Sequence, residues 1–359
     1  MYSESDLDGA VGAGVLRAVD ADAFRAHVAA TRASPAADEE QFRLVTGFND
    51  IFVTIAVVLL FVALGQIGAA VSATIGAALI TAAAWGLAEY FTRARRMALP
   101  SIVLLLAFVG GIGATLFAIL YEATQAMSTG PFRPANTVPG GTNVEAILIF
   151  AAIAAAMTVS AWAHWRRFGV PVTIAAGAAS AVAVIVLLLT AAIPQPETGW
   201  IAAFIGGVVT FALAMRWDLS DPERRTRRAD VAFWLHLAAA PMIAHPIFHW
   251  LGVFGSGELG GGTAIVVLAL YLVFAVVALA IDRRALLVSG LAYVLYAMAA
   301  LIRSTGAVEL SAAITGLVIG SALLCLSAFW QTMRRPVVAA LGPRGDRLPP
   351  VVLPSPASA

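Results

Sequence analysis

Lysine is missing from this chain altogether: every one of its 22 non-histidine basic residues is arginine. Charge of either sign is scarce, 12% of 359 residues, where a soluble domain carries about a quarter. There is one cysteine, Cys325, which excludes an intrachain disulfide and any cysteine-cluster metal site. A formal net charge of +1 removes the electrostatic case for nucleic acid as a partner. The first residues carry Glu4, Asp6 and Asp8, the opposite of the basic start of a signal peptide. No nucleophile elbow, P-loop, dinucleotide fingerprint or paired-histidine zinc helix occurs, so the sequence points to no catalytic residues, no cofactor and no enzyme.

What is abundant is apolar. Hydrophobic residues make up 60% of the chain and mean hydropathy is +0.89. They gather in runs near 49–66, 69–91, 99–121, 144–164, 170–193, 200–217, 231–253, 264–281, 285–302 and 310–331. Each is close to the roughly 20 residues that a helix needs to cross a bilayer. The expected fold is an all-α polytopic transmembrane bundle of about ten spans, occupying 48–335, with the lipid bilayer as its first partner.

Arginine placement gives the orientation. Clusters follow the second span (Arg93, Arg95, Arg96), the fourth (Arg166, Arg167), the sixth (Arg216, Arg224, Arg225, Arg227, Arg228), the eighth (Arg283, Arg284) and the tenth (Arg334, Arg335). The alternate loops hold only Arg133 and Arg303. Positive loops stay inside, so both termini are expected in the cytoplasm of a bacterial inner membrane. Tryptophans 162, 165, 200, 217, 234, 250 and 330 fall near span ends, as in an interfacial aromatic belt; Trp85 lies deeper.

Outside the spans, residues 1–30 read as a small cytoplasmic helical hairpin. Ser3 and Asp6 suit one cap and Asp20 another, and Phe24 and Val28 share a face. A hairpin of this kind is a candidate docking point for a protein partner. Residues 31–47 read as a linker and juxtamembrane helix, and 336–359, rich in proline, as a disordered cytoplasmic tail.

One span stands apart. The seventh contains Pro241–Trp250, with Pro241 and Pro246 inside the apolar run and His236, His245 and His249, three of the chain's five histidines. Each proline leaves a carbonyl, that of Leu237 or Met242, without its helical donor, which predicts a broken or kinked helix. His245 and His249 are one turn apart and project from nearly the same face. At 1.5 Å per residue they stand roughly 22 and 28 Å from Asp230, in the outer half of the membrane. Such a pair suits proton relay, metal coordination or ligand binding; equally it suits two interfacial rings bonded to freed carbonyls. Whether a metal binds is left open. Haem needs histidines on facing helices, and His164 and His236, both toward the cytoplasm, are the only weak candidates.

Asn49 and Asp50, where the first span begins, are either an N-cap or a cytoplasmic mouth. Glu89 beside Arg93 and Asp282 beside Arg283 read as interfacial ion pairs. Glu122, Glu145, Glu197, Glu258 and Glu309 make the outer loops acidic, which would concentrate cations near His249. Tyr293 and Tyr296 read as packing. Small residues at Gly110, Gly111, Gly113, Gly206, Gly207, Gly316 and Gly320 predict close helix contacts.

In layout, the segment Asp6–Ala30, with Ala-Gly-Val-Leu at 13–16 and Asp-Ala-Asp-Ala-Phe at 20–24, followed by many spans, resembles bacterial predicted multi-pass membrane proteins classed as a domain of unknown function. That family has a short cytoplasmic helical segment ahead of its hydrophobic spans. The resemblance implies a membrane protein and supplies no site residues. Function is expected to be transporter-like, for a small solute or cation with the seventh span as the broken helix. The alternative is a non-catalytic scaffold or sensor working through the N-terminal hairpin. No feature of the sequence fixes the oligomeric state.

Overall fold

The structure is a computed structural model, and it describes residues 4–24, 48–129, 144–221, 224, 226–253, 261–304 and 311–349. The helical share is 88%, with no strand among the described residues. Ahead of the bundle, α1 covers Glu4–Gly12 and a second helical stretch covers 18–24. The rest of the expected hairpin (25–30) and the linker (31–47) lie outside the described residues, as do 350–359 of the tail.

Each of the ten apolar runs is a helix. In chain order they are α2 (Phe48–Ala69), α3 (Ala73–Ala88), α4 (Ala98–Thr129), α5 (Val144–Phe168), α6 (Val172–Ala192), α7 (Thr198–Leu219), α8 (Arg227–Trp250), α9 (Gly261–Ile281), α10 (Ala285–Ser304) and α11 (Ser311–Ala328). A π-helical turn, Glu89–Ala94, prolongs α3. Eight of the described helices are long and apolar enough to cross a membrane, nine if a bent pair near the C-terminus counts as one span. Apolar side chains cover the outside of the bundle too: Leu59, Val62, Leu272, Leu317 and Leu324 are all more than half exposed. In water such a surface would aggregate; in lipid it is the solvent-facing side.

Consecutive helices pack as neighbours except α8 and α9, and α8 packs chiefly against α6, α7 and α10. Half of its central stretch is buried, against a third or less in the other candidate spans. Small residues allow the closest approaches. A Cβ on Gly68 would stand 2.5 Å from the Cα of Gly76, so α2 and α3 meet backbone to backbone. One on Gly207 would stand 2.8 Å from Met242 Cβ, which seats α7 on α8 beside Pro241. By contrast, among the described residues a Cβ on Gly316 or Gly320 would meet nothing within 4 Å, so these two glycines mark no close helix approach there.

Two expectations are corrected here. The seventh span is not broken: α8 is helical without interruption from Arg227 to Trp250, both prolines included. Each proline costs one hydrogen bond, and the bonds of the flanking residues carry the helix through, held by neighbours on several sides. The sharp bend lies elsewhere, 73° between α11 and α12 (Trp330–Ala340), at Phe329. Nor is the tail structureless from 336. Helix α12 runs on through Pro336 to Ala340, and a 3-10 helix, Gly342–Arg347, follows it. What pins this end is polar: the buried guanidinium of Arg334 donates to the carbonyls of Leu279 (3.1 Å) and Pro349.

Candidate polar centre at the arginine-rich end

Helix α7 ends in Trp-Asp-Leu, and its Asp218 is only 3% exposed. A carboxylate in that position must find partners, because an unpaired charge among apolar side chains is costly. Two residues of different elements supply them. His236, two turns into α8 and fully buried, places Nε2 2.9 Å from Asp218 Oδ2. Arg283 grips both carboxylate oxygens, Nε at 3.1 Å from Oδ2 and Nη2 on Oδ1, and it also donates to the carbonyl of Ala229 at 3.1 Å.

Arg283 owes its position to the end of α9. Asp282 adopts a left-handed backbone (φ 59°), and the N–H of Arg283 closes the helix on the carbonyl of Ala278. Aspartate tolerates that conformation better than most residues. The turn points Arg283 back to α7 and leaves Asp282 for a second cluster. There Arg224 donates to the Asp282 carboxylate (2.9 Å) and carbonyl (2.8 Å), and the indole of Trp330 donates to the other oxygen at 2.7 Å. Arg334 stands 3.7 Å away. Asp282 and Arg283 therefore do not pair with each other; each binds across the bundle. Two charge clusters, side by side, tie α7, α8, the α9–α10 turn and α12 together.

In the first cluster the ring of His236 has one nitrogen to spare. Its Nδ1 is buried and has no hydrogen-bond partner among the described residues. With Asp218 ionised, Nε2 carries the ring proton and donates it to the carboxylate, so Nδ1 is left as an acceptor. Phe211 meets the ring edge-on at 5.0 Å. The arrangement can hold one more proton, in a place where water is largely excluded.

The residues singled out from sequence fall in different places. His236 belongs to this centre. His245 and His249 lie near the other end of α8, in an aromatic cluster. His245 Nδ1 is 2.5 Å from the Tyr293 hydroxyl, and His249 stacks on Trp200 with ring centroids 4.2 Å apart. Phe248 and Tyr293 stack at 4.0 Å. Pro246 is buried between them and Pro241 is exposed. Tyr293, read as packing, both packs and bonds. Asn49 is exposed while Asp50 is buried, and the Thr54 hydroxyl donates to the Asp50 carbonyl at 2.7 Å.

His164 and His236 do not meet. His164 sits among Trp85, Phe108 and Phe168, with Nδ1 3.2 Å from the Thr173 hydroxyl. Among the described residues no group of three His, Cys, Asp or Glu side chains is placed to hold a metal ion. Two of the glutamates expected in outer loops are already engaged. Glu122 accepts from the backbone N–H (3.1 Å) and hydroxyl (2.9 Å) of Thr74 at the start of α3, and Glu197 accepts from the Trp250 indole at 2.7 Å. Glu258 and Glu309 lie outside the described residues. Glu89 takes its stronger pair from Arg167, at 2.7 and 3.0 Å, and a longer one of 3.3 Å from Arg93.

Sequence reasoning missed Asp218, Arg283 and Arg334. Asp218 had one visible mark, an acid in the last turn of an apolar run, at an end where arginines gather. No protein-family model, curated protein or solved structure matches this chain.

Proposed function

We propose that this protein is a ten-span inner-membrane transporter for a small solute or cation, both termini cytoplasmic, with Asp218, His236 and Arg283 as its ionisable centre. One observation carries the reading: a carboxylate, an imidazole with an unpartnered nitrogen and a guanidinium are buried together within an apolar helical bundle. Intramembrane ionisable residues are expensive to keep and mark proton relays and ion paths. His245 and His249, held by Tyr293 and Trp200, form the outer end of the same helix, and Pro241 and Pro246 are the points at which α8 can flex. The protein belongs, on this reading, with the multi-pass family of unknown function that its layout resembles, and it catalyses no covalent reaction.

Recordings from proteoliposomes adsorbed on a solid support test this, with sodium, potassium and proton concentration jumps as the probes. The wild type should give a current for at least one of the three, and Asp218→Asn should abolish it. Silence of the wild type to all three would reject transport of, or coupling to, these cations at the Asp218 centre.

A scaffold or sensor role rests on a different observation. Val15 and Val19, between and within the two N-terminal helical stretches, are 78% and 76% exposed, and Phe24 is 43% exposed. Apolar side chains presented this way suit a protein partner. Deleting residues 1–30 should leave an inserted protein and remove a partner from pull-downs; an unchanged partner list would count against it.

A further inference from the structure

A cavity of about 470 Å³ lies between the π-helical turn after α3, the start of α4, the α5–α6 turn and the first turns of α8, and neither Asp218, His236 nor Arg283 lines it. That is a volume suited to a small ligand or a lipid headgroup. Arg93, Arg96 and Arg227 line it against a single carboxylate, Asp230. Neither Arg96 nor Arg227 makes a hydrogen bond or ion pair among the described residues, and Arg93 has only its long contact to Glu89, which Arg167 binds more closely. Arg96 is held at φ 52°, a left-handed conformation unusual for arginine, at the point where the chain turns into α4.

The polar floor points the same way. Thr92 lines the cavity, is 7% exposed, and its hydroxyl has no hydrogen-bond partner among the described residues. A buried hydroxyl is ordinarily satisfied, so this one has a donor to spare; its oxygen is covered in the structure, and a turn about the side chain's first torsion would bring it to a ligand in the cavity. The hydroxyl of Ser101 donates to the Met97 carbonyl and is already taken. The remaining wall is apolar, with Ile102, Phe168, Val172 and Trp234. Cationic donors around a hydroxyl, backed by apolar side chains, match a tetrahedral oxyanion attached to something less polar.

We propose that this cavity binds a phosphate group, with Arg96 and Arg227 as its charged donors and Thr92 as its neutral one. A free phosphate and the phosphodiester of an anionic lipid share this chemistry, and a basic pocket between helices near a membrane surface is open to both. The site is separate from the transport reading and stands whether or not the protein moves a solute.

Affinity for inorganic phosphate, measured in detergent at constant ionic strength, tests one source. Retention of phosphatidylglycerol over phosphatidylcholine, measured by native mass spectrometry from nanodiscs holding both, tests the other. Arg96→Gln/Arg227→Gln should weaken whichever binding the wild type shows by at least tenfold, and Thr92→Val, which keeps the shape and the charges, by about tenfold. Arg166→Gln, whose guanidinium lies over Trp162 outside the cavity, should match the wild type. Saturable phosphate binding in detergent identifies a free anion; selective phosphatidylglycerol retention alone identifies a headgroup. No binding in either arm, or binding that Thr92→Val and the arginine variants leave unchanged, overturns the proposal.

Discussion

Arg283 and Asp218 are 65 residues apart in the chain, yet they form a buried two-point ion pair, each about 3% exposed, that closes the ends of α7 and α9 onto α8. Removing one partner leaves the other charged and buried. Asp218→Ala or Arg283→Ala should therefore cost about 3–5 kcal/mol of stability. The double variant should cost less than the two single costs added, because neither charge is then stranded. Thermal unfolding in detergent measures all three, and strict additivity would mean the pair is not coupled.

The C-terminal helix should depend on a handful of polar contacts. Arg334→Met loses bonds to two carbonyls, Leu279 and Pro349, and Trp330→Phe loses the indole bond to Asp282. In each variant limited proteolysis should cut near Phe329, at the 73° bend, well before the remainder of the bundle is attacked. Cleavage at the wild-type rate would show that apolar contacts suffice to hold α12.

Close helix approach should make certain glycines irreplaceable. Gly68→Leu cannot be placed without parting α2 from α3, since even a Cβ would stand 2.5 Å from Gly76 Cα. A loss of several degrees in melting temperature is expected. At Gly316 a Cβ meets nothing among the described residues, and Gly316→Leu should leave the melting temperature of the monomer unchanged.

At the other end of α8, His249→Gln removes a ring stacked on Trp200 and should cost about 1 kcal/mol, with a change in tryptophan fluorescence. His245→Gln breaks the bond to Tyr293. If the double variant matched the wild type in stability and in every ion response, the pair would be interfacial packing and nothing more.

The orientation has its own test. Reporter fusions at Arg96, Gly169 and Thr226 should report cytoplasm, and fusions at Thr137 and Gly257 the outside. Two fusions on the wrong side would overturn the proposed ten-span arrangement with both termini inside.

The helices were legible because lipid imposes one simple demand, about 20 apolar residues per crossing, and a run of that length is visible in any sequence. The polar centre was not. Arg283 looks like one more member of a cytoplasmic cluster, and its role depends on Asp282 turning the chain left-handed and on an aspartate 65 residues upstream. His236 drew notice as one of three histidines in a span and as a weak haem candidate, not for its real partner, since nothing local reveals that Asp218 lies 2.9 Å away. Prolines misled in the other direction: Pro241 and Pro246 predict a break, while tertiary packing carries α8 through both. The actual bend, at Phe329, has no proline or glycine next to it.

On the transporter reading, His236 and Asp218 handle protons and do not merely brace the bundle. His236→Gln separates the two roles, because a glutamine amide can still donate to Asp218 but cannot titrate. Stability and proton-jump current should be measured on the same reconstituted preparation. Unfolding within about 1 kcal/mol of the wild type is expected together with a loss of at least tenfold in current. A His236→Gln protein that conducts as well as the wild type would contradict it.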